Sequence, residues 1–192
     1  MAATIVFIRH AETALAGTFC GRTDPPLNET GYSQLAPLQT RLAGLPCTAV
    51  HTSDLLRARQ TAEAFAQPRA LPVHLSPALR EIDFGEWETL SWEQIEQRDP
   101  AYAARWVAEF PNLPAPGGEL IPLFKHRVLT EIARLRELDQ DLAIVTHAGP
   151  LRVLLEELGH FAPHHAWERT RDYTCIIRCT QQTPTGHLEV HP

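Results

Sequence analysis

The stretch Thr4-Ile5-Val6-Phe7-Ile8 constrains this chain more than any other. It is an apolar, β-branched run that stops abruptly at Arg9 and His10, and such a run reads as a strand buried on both faces. Strands of that kind belong to parallel sheets with helices on either side. In open sheets of this type, ligands collect just beyond the carboxyl ends of the strands. Arg9 and His10 stand at such an end. A second run, Leu142-Ala143-Ile144-Val145-Thr146, also stops at a histidine, His147.

The rest of the chain supplies the helices. A helix is predicted over 30–43, with Leu35, Leu38 and Leu42 on one stripe and Gly44 and Pro46 ending it. Residues 49–52 are a short strand. Ser53 and Asp54 are then predicted to cap a helix that carries Leu55, Leu56, Ala62 and Phe65 inward until Pro68. Residues 73–75 are a third strand. The segment 80–88 alternates Ile82, Phe84 and Trp87 with acids around Gly85 and is expected to be irregular and extended. Ser91-Trp92-Glu93-Gln94 is a capping box opening a helix to about Asp99. A second short helix follows to about Phe110, then a Pro- and Gly-rich loop over 111–118. Residues 119–138 carry the longest helical pattern, with Phe124, Val128, Ile132 and Leu135 on one stripe. Gly149 and Pro150 start a helix through Leu158, with Pro150 at its first position. Closing strands are predicted over 173–180 and 188–191, joined through Pro184-Thr185-Gly186. The alternation indicates a three-layer α/β/α sandwich with a mostly parallel central sheet. Residues 1–192 are expected to form a single domain with a small helical cap around 88–118. In that cap Trp87, Trp92, Tyr102 and Trp106 have packing as their expected job, with lining of an aromatic pocket as the other option.

Composition narrows the function classes. The formal charge is −6, from 17 basic and 23 acidic residues, which argues against nucleic acid or an anionic membrane as the main partner. No apolar run reaches the length of a membrane span. The first strand begins within a few residues of Met1, leaving no room for a signal peptide, so a cytoplasmic location is expected. Cys20, Cys47, Cys175 and Cys179 show no C-x-x-C spacing. Cys175 and Cys179 would lie roughly 13 Å apart along a strand, beyond disulfide reach, and reduced thiols are expected. His160 and His164 would share a helix face near His165, His187 and His191, but chain ends are ordinarily solvated and polar, and no metal site is assigned.

Three strand-to-helix junctions share a chemical character. The first offers Arg9 and His10. The second offers Arg57 in the first turn of a helix, whose amides and dipole already favour anions. The third offers His147 at the start of the Gly149 helix. Arginine matches phosphate oxygens with a fork of donors, so a phosphate group is the natural occupant. Phosphoryl transfer without a metal needs a nucleophile, charge neutralisation and an acid for the leaving oxygen. His10 can be the nucleophile, since flanking arginines favour its neutral form. The acid is sought among Glu81, Asp83, Glu86 and Glu88, and spacing alone does not choose among them.

These residues carry a resemblance. Arg9-His10-Ala11-Glu12-Thr13 resembles the R-H-G-E-T signature of the histidine phosphatase (phosphoglycerate-mutase-like) superfamily. Ser53-Asp54-Leu55-Leu56-Arg57-Ala58-Arg59-Gln60-Thr61-Ala62 is similar to its S-x-L-x-R-A-x-Q-T-A block, and Leu79-Arg80-Glu81-Ile82-Asp83-Phe84-Gly85-Glu86-Trp87-Glu88 to its L-x-E-x-x-F-G-x-W-E block. Pro116-Gly117-Gly118-Glu119 with Phe124 and Arg127 resembles P-G-G-E-S…F-x-x-R-V, and Thr146-His147-Ala148-Gly149 resembles T-H-G-G.

The resemblance implies that His10 is the phosphorylated nucleophile, that Arg9, Arg57 and His147 grip the phosphoryl oxygens, and that Glu81 is the proton donor. It implies that the Gly21 carbonyl orients His10 through its other ring nitrogen, and it implies no metal or other cofactor. Ala11 and Ala148 replace the usual glycines, Leu120 stands where serine is usual, and the loop 14–20 is shorter than usual. The phosphate donor expected in that loop is missing, or is supplied by Thr18 or Thr23. The chain is too compact for the longer insertion of the mutases, which favours a phosphomonoesterase acting on a small phosphorylated metabolite through a phosphohistidine. Its blocks look most like those of α-ribazole phosphatases, which implies α-ribazole 5′-phosphate, and of their broad-specificity relatives. The alternatives are mutase-type phosphoryl transfer and a non-catalytic phospholigand-binding protein. The oligomeric state is open, with a homodimer among the options.

Overall fold

The computed structural model describes residues 2–183 and 188–191. The turn predicted through Pro184-Thr185-Gly186, and His187, lie outside the described residues.

Six strands form one sheet in the order β3-β2-β4-β1-β5-β6. They are β1 (Ala3–Arg9), β2 (Ala49–Thr52), β3 (Val73–Leu75), β4 (Leu142–Thr146), β5 (Ile176–Gln181) and β6 (Leu188–His191). The four strands from β3 to β1 run parallel, and β5 and β6 add an antiparallel edge. The expected mostly parallel sheet is therefore present.

Burial on both faces follows from the period of two along each strand. Ile5 and Phe7 point with Leu142 and Ile144 into one layer, against α5 (Ile121–Arg136), α6 (Ala148–Val153) and α7 (Pro163–Thr170). Val6 and Ile8 point with Ala143 and Val145 into the other, against α1 (Glu29–Leu42) and α2 (Leu56–Ala66). Each of the larger apolar side chains among these, fully buried, stabilises the fold by about 1.5–3 kcal/mol. The α5 stripe of Phe124, Val128, Ile132 and Leu135 is buried as its spacing predicts. A third, smaller core surrounds Trp87, Ile95, Ala103 and Ala115, beneath α3 (Trp92–Arg98) and α4 (Pro100–Glu109). The Ser91 capping box is formed in full.

Some local readings need correction. Ser53 and Asp54 do not cap α2. Its N-cap is Leu55, with no side-chain cap of its own, and the Leu56 N–H donates to Asp24 Oδ1 at 2.6 Å from a distant loop. Asp54 is drawn away into an ion pair with Arg80. In α6 the N-cap is His147, so Pro150 stands at the third helical position, and Leu154–Leu158 continues as a π-helical stretch. Residues 80–88 include a 3₁₀ turn at Gly85–Trp87. Helix α7 was not predicted, because only Ala166 and Thr170 of its eight residues are buried and no apolar stripe announces it. Strand β5 starts at Ile176, so Cys175 precedes it; all four cysteines are free thiols.

Candidate active site

Sheet register assembles the site. Arg9 on β1 pairs with Thr146 on β4, so the next residue of each strand, His10 and His147, emerges side by side. Their rings meet edge-on with centroids 4.9 Å apart. Thr52 on β2 pairs with Val145, which brings Ser53 alongside, with its Oγ 2.9 Å from His147 Nε2. Ser53 Oγ thus sits against His147 and also accepts from the Leu55 N–H at 3.3 Å, just ahead of the helix it was expected to cap.

His10 is 6% exposed. Its Nδ1 lies 2.7 Å from the Ala11 carbonyl oxygen. A carbonyl can only accept, so Nδ1 carries the proton and the neutral ring has a bare Nε2. Burial, then the charges of Arg57 and Arg9, push the His10 pKa well below the ordinary histidine value. His147 is lowered likewise by burial and then by Arg57. The Gly21 carbonyl, expected on His10, instead accepts from Arg57 at 2.9 Å. The Ala11 N–H is held by Thr61 Oγ1 at 3.0 Å. Neither Ala11 nor Ala148 has a positive φ, so alanine fits both places where the resemblance has glycine.

Arg57 projects from the first turn of α2 and is 1% exposed. It donates to the carbonyls of Thr23 at 2.8 Å, Gly21 at 2.9 Å and Cys20 at 3.2 Å. That loop is gripped from its other side by Glu88. The Glu88 carboxylate accepts from the backbone N–H groups of Gly21, Arg22 and Thr23, from Thr23 Oγ1 at 2.7 Å and from the Phe84 N–H. Burial works to raise the Glu88 pKa, but these hydrogen bonds outweigh it and leave the group below the usual carboxylate value. Gly21 has no substitute here, because a Cβ would stand 2.0 Å from the Ile82 carbonyl oxygen. The expected phosphate contact of Thr23 is thus corrected: its hydroxyl and amide are spent on Glu88.

Among the four candidate acids, Glu81 alone lines the cavity next to His10. Its carboxylate accepts from its own neighbour Ile82 and from the Gly149 N–H, both at 3.0 Å. A Cβ on Gly149 would fall 2.0 Å from Glu81 Oε1, so that glycine makes room for the acid. Arg127 clips the Glu81 segment in place through the carbonyls of Ala78, Arg80 and Glu81, each at 2.9 Å, while pairing with Glu119. Glu86 pairs with Arg98 on the surface, and the Asp83 carboxylate accepts from the Gly85 N–H.

The cavity measures about 250 Å³, and its polar floor consists of Arg9, His10, Arg57 and Glu81. Arg9 donates to the carbonyls of Thr170, at 2.9 Å, and Arg171, and its guanidinium lies 4.1 Å over the Tyr173 ring. Arg9 Nε, Arg57 Nε and His147 Nδ1 are buried without a hydrogen-bond partner. His147 is itself fully buried behind His10 and does not reach the cavity surface. Thr18 does line the cavity, while its hydroxyl donates to the Leu15 carbonyl. Lining residues that escaped the sequence reading include Phe19, Arg152 and Tyr173. Arg152 lies four residues beyond Ala148, on the same helical face, and its Nε donates to Thr170 Oγ1 at 3.1 Å; that spacing was a usable signal. Tyr173 is delivered by the chain after α7, and nothing local marks it. Among the described residues, no three His, Cys, Asp or Glu side chains are grouped to hold a metal ion. No helix among them is long and apolar enough to cross a membrane.

Known proteins share this sequence pattern and fold. A family model described as histidine phosphatase superfamily (branch 1) matches residues 5–191. The adenosylcobalamin/alpha-ribazole phosphatase of Salmonella typhimurium is 36% identical over 172 residues, covering 88% of this chain and 85% of that protein. Its Escherichia coli counterpart is 33% identical over the same shares. Among solved structures, the alpha-ribazole phosphatase from Shigella flexneri superposes with a TM-score of 0.86 at 31% identity, covering 97% of this chain and 95% of that one.

Proposed function

This chain belongs to the histidine phosphatase superfamily and is a phosphoric monoester hydrolase acting on a small phosphorylated molecule, and from that premise we propose that it works through a phosphohistidine on His10. The observation that carries the proposal is the tautomer of His10. Its Nδ1 proton is committed to Ala11, and its bare Nε2 belongs to a ring kept neutral on a floor flanked by Arg9 and Arg57.

In this reading Nε2 attacks phosphorus in line while the bond from phosphorus to the ester oxygen breaks. Glu81 gives its proton to that leaving oxygen. The imidazolium formed keeps its Nδ1–H on the Ala11 carbonyl. Arg9 and Arg57 stabilise the charge on the phosphoryl oxygens through their unpartnered guanidine nitrogens, while His147 packs edge-on against the His10 ring. Water then attacks phosphorus, Glu81 takes back a proton, and the bond to Nε2 breaks to release phosphate. For substrate we propose α-ribazole 5′-phosphate, on the strength of the relatives above.

The test is rapid quenching with ³²P-labelled substrate. An acid-labile, base-stable phosphoenzyme is expected in the wild type and absent from His10→Ala, whose kcat should fall at least about a thousandfold. Full turnover by His10→Ala would overturn the assignment.

A further inference from the structure

The cavity is lined by charged and by apolar side chains, and the mechanism uses only the charged ones. The apolar part of the lining includes Leu15, Phe19, Phe84 and Trp92, none of them fully buried. We propose that Phe19, Phe84 and Trp92 form the leaving-group subsite and make the enzyme select phosphomonoesters whose alcohol carries a flat aromatic ring. The inference rests on the phosphatase reading and adds to it a selectivity and the residues that set it.

The packing of these rings supports a binding surface rather than simple filling. Phe19 meets Phe84 edge-on, with centroids 4.9 Å apart and planes at 89°, and faces Trp92 at 6.3 Å. Behind them stands Trp87, 4% exposed, 5.6 Å from Phe19 and 6.2 Å from Trp92. Trp106 backs the same pair at 6.2 and 5.8 Å. The two expected jobs of the cap aromatics are therefore divided. Trp87, Tyr102 and Trp106 pack the small core, while Trp92 alone of the four lines the cavity, joined there by Phe19 and Phe84. Phe19 is also fixed through its backbone: its N–H donates to the Leu90 carbonyl at 2.9 Å, and its carbonyl accepts from the Thr89 N–H at 2.7 Å. A ring held from behind and along its backbone loses little freedom when a second ring stacks on it. Stacking is also tolerant of the identity of the ring, because every aromatic base has a π-face. Arg152 is the competing feature, since a cation lining the cavity outside the floor would favour a second anionic group on the substrate.

The experiment compares substrates that share one scissile bond. Adenosine 5′-monophosphate and a benzimidazole ribonucleoside 5′-phosphate differ from ribose 5-phosphate only in the ring, so leaving-group chemistry cancels in the ratio of kcat/KM values. The wild type is expected to favour the ring-bearing esters by about tenfold or more, and Phe19→Ala and Trp92→Ala to bring that ratio close to one. Phe19→Leu and Trp92→Leu keep apolar volume without the ring and read the same ratio where an alanine variant does not fold. A wild-type ratio near one, an unchanged ratio in the variants, or a preference for 3-phosphoglycerate that disappears in Arg152→Met would each overturn the subsite. Absence of turnover with every phosphomonoester, p-nitrophenyl phosphate included, would overturn the phosphatase reading as well.

Discussion

At the scale of single residues, the site depends on keeping a histidine neutral among arginines. Protonating His10 would place a third cation beside Arg9 and Arg57 in a buried position, and burial together with those charges opposes it. The consequence is kinetic. Once corrected for the second ionisation of the substrate phosphate, near pH 6, kcat/KM should stay flat as pH falls through 6.5 and decline only well below it. An acid limb of that profile, rising with an enzyme pKa near 6.5, would mean that the nucleophile is not this histidine. Glu81 invites a separate measurement. If it protonates the leaving oxygen, Glu81→Gln should cost about 10²–10⁴ in kcat with alkyl phosphates and far less with p-nitrophenyl phosphate, whose leaving group needs no proton. Equal losses on both would remove Glu81 from that role. His10, Arg57 and His147 were legible as candidates because each lies beside a strand end or helix start with a chemical reason to face an anion, whereas Glu81 was one of four acids that only the family resemblance told apart. The use of the Gly21 carbonyl and of Thr23 was not legible, because each depends on which of several nearby donors and acceptors pairs first.

At the scale of elements, the loop 20–24 does more than its sequence suggests. It accepts Arg57 on one side, is held by Glu88 on the other, and sends Asp24 to the first turn of α2. Glu88 thus positions Arg57 without touching the cavity. Glu88→Gln keeps the shape but removes the charge behind several hydrogen bonds, so a loss of about 2 kcal/mol in stability is expected. Inorganic phosphate should also inhibit the variant roughly five- to tenfold more weakly, as Arg57 loses its fixed carbonyl partners. Calorimetry and inhibition kinetics on one sample read both effects, and unaltered phosphate inhibition would separate Glu88 from the site. Elements defined by local rules, such as the Ser91 capping box and the α5 stripe, were predicted correctly. The cap of α2 was missed because its acceptor comes from 32 residues upstream.

At the scale of the whole molecule, buried histidines couple stability to pH. Outside the site, His51 is 6% exposed, stacks on His74 with centroids 4.8 Å apart, and has its pKa lowered to about 4. Burial is the main cause, His74 and Arg134 add to it, and Glu131 opposes. The unfolded chain binds this proton at the ordinary value of 6.5, before the folded one does. The stabilisation is therefore complete above pH 6.5 and is lost as pH falls toward 4. His51→Gln should reduce the loss of stability between pH 7 and pH 5 by about 1–2 kcal/mol, or roughly 2–8 °C in Tm, with kcat/KM unaffected. A Tm profile parallel to that of the wild type would show that His51 does not contribute.

The sequence by itself determined the layers and the chemistry. The unbroken apolar runs of β1 and β4, which point alternately to the two faces, require helices on both sides, and the polar residues that end those runs can only sit at one edge of the sheet. Tertiary structure decided what those residues do there. The register of Arg9 with Thr146 sets His10 against His147, the order β2-β4-β1 delivers Ser53 to His147, and one cavity separates Glu81 from three neighbouring acids. The physical reason is range. Side-chain periodicity and helix caps are settled within a few residues, whereas a hydrogen bond between groups 30 to 90 positions apart exists only once the whole sheet has closed around it.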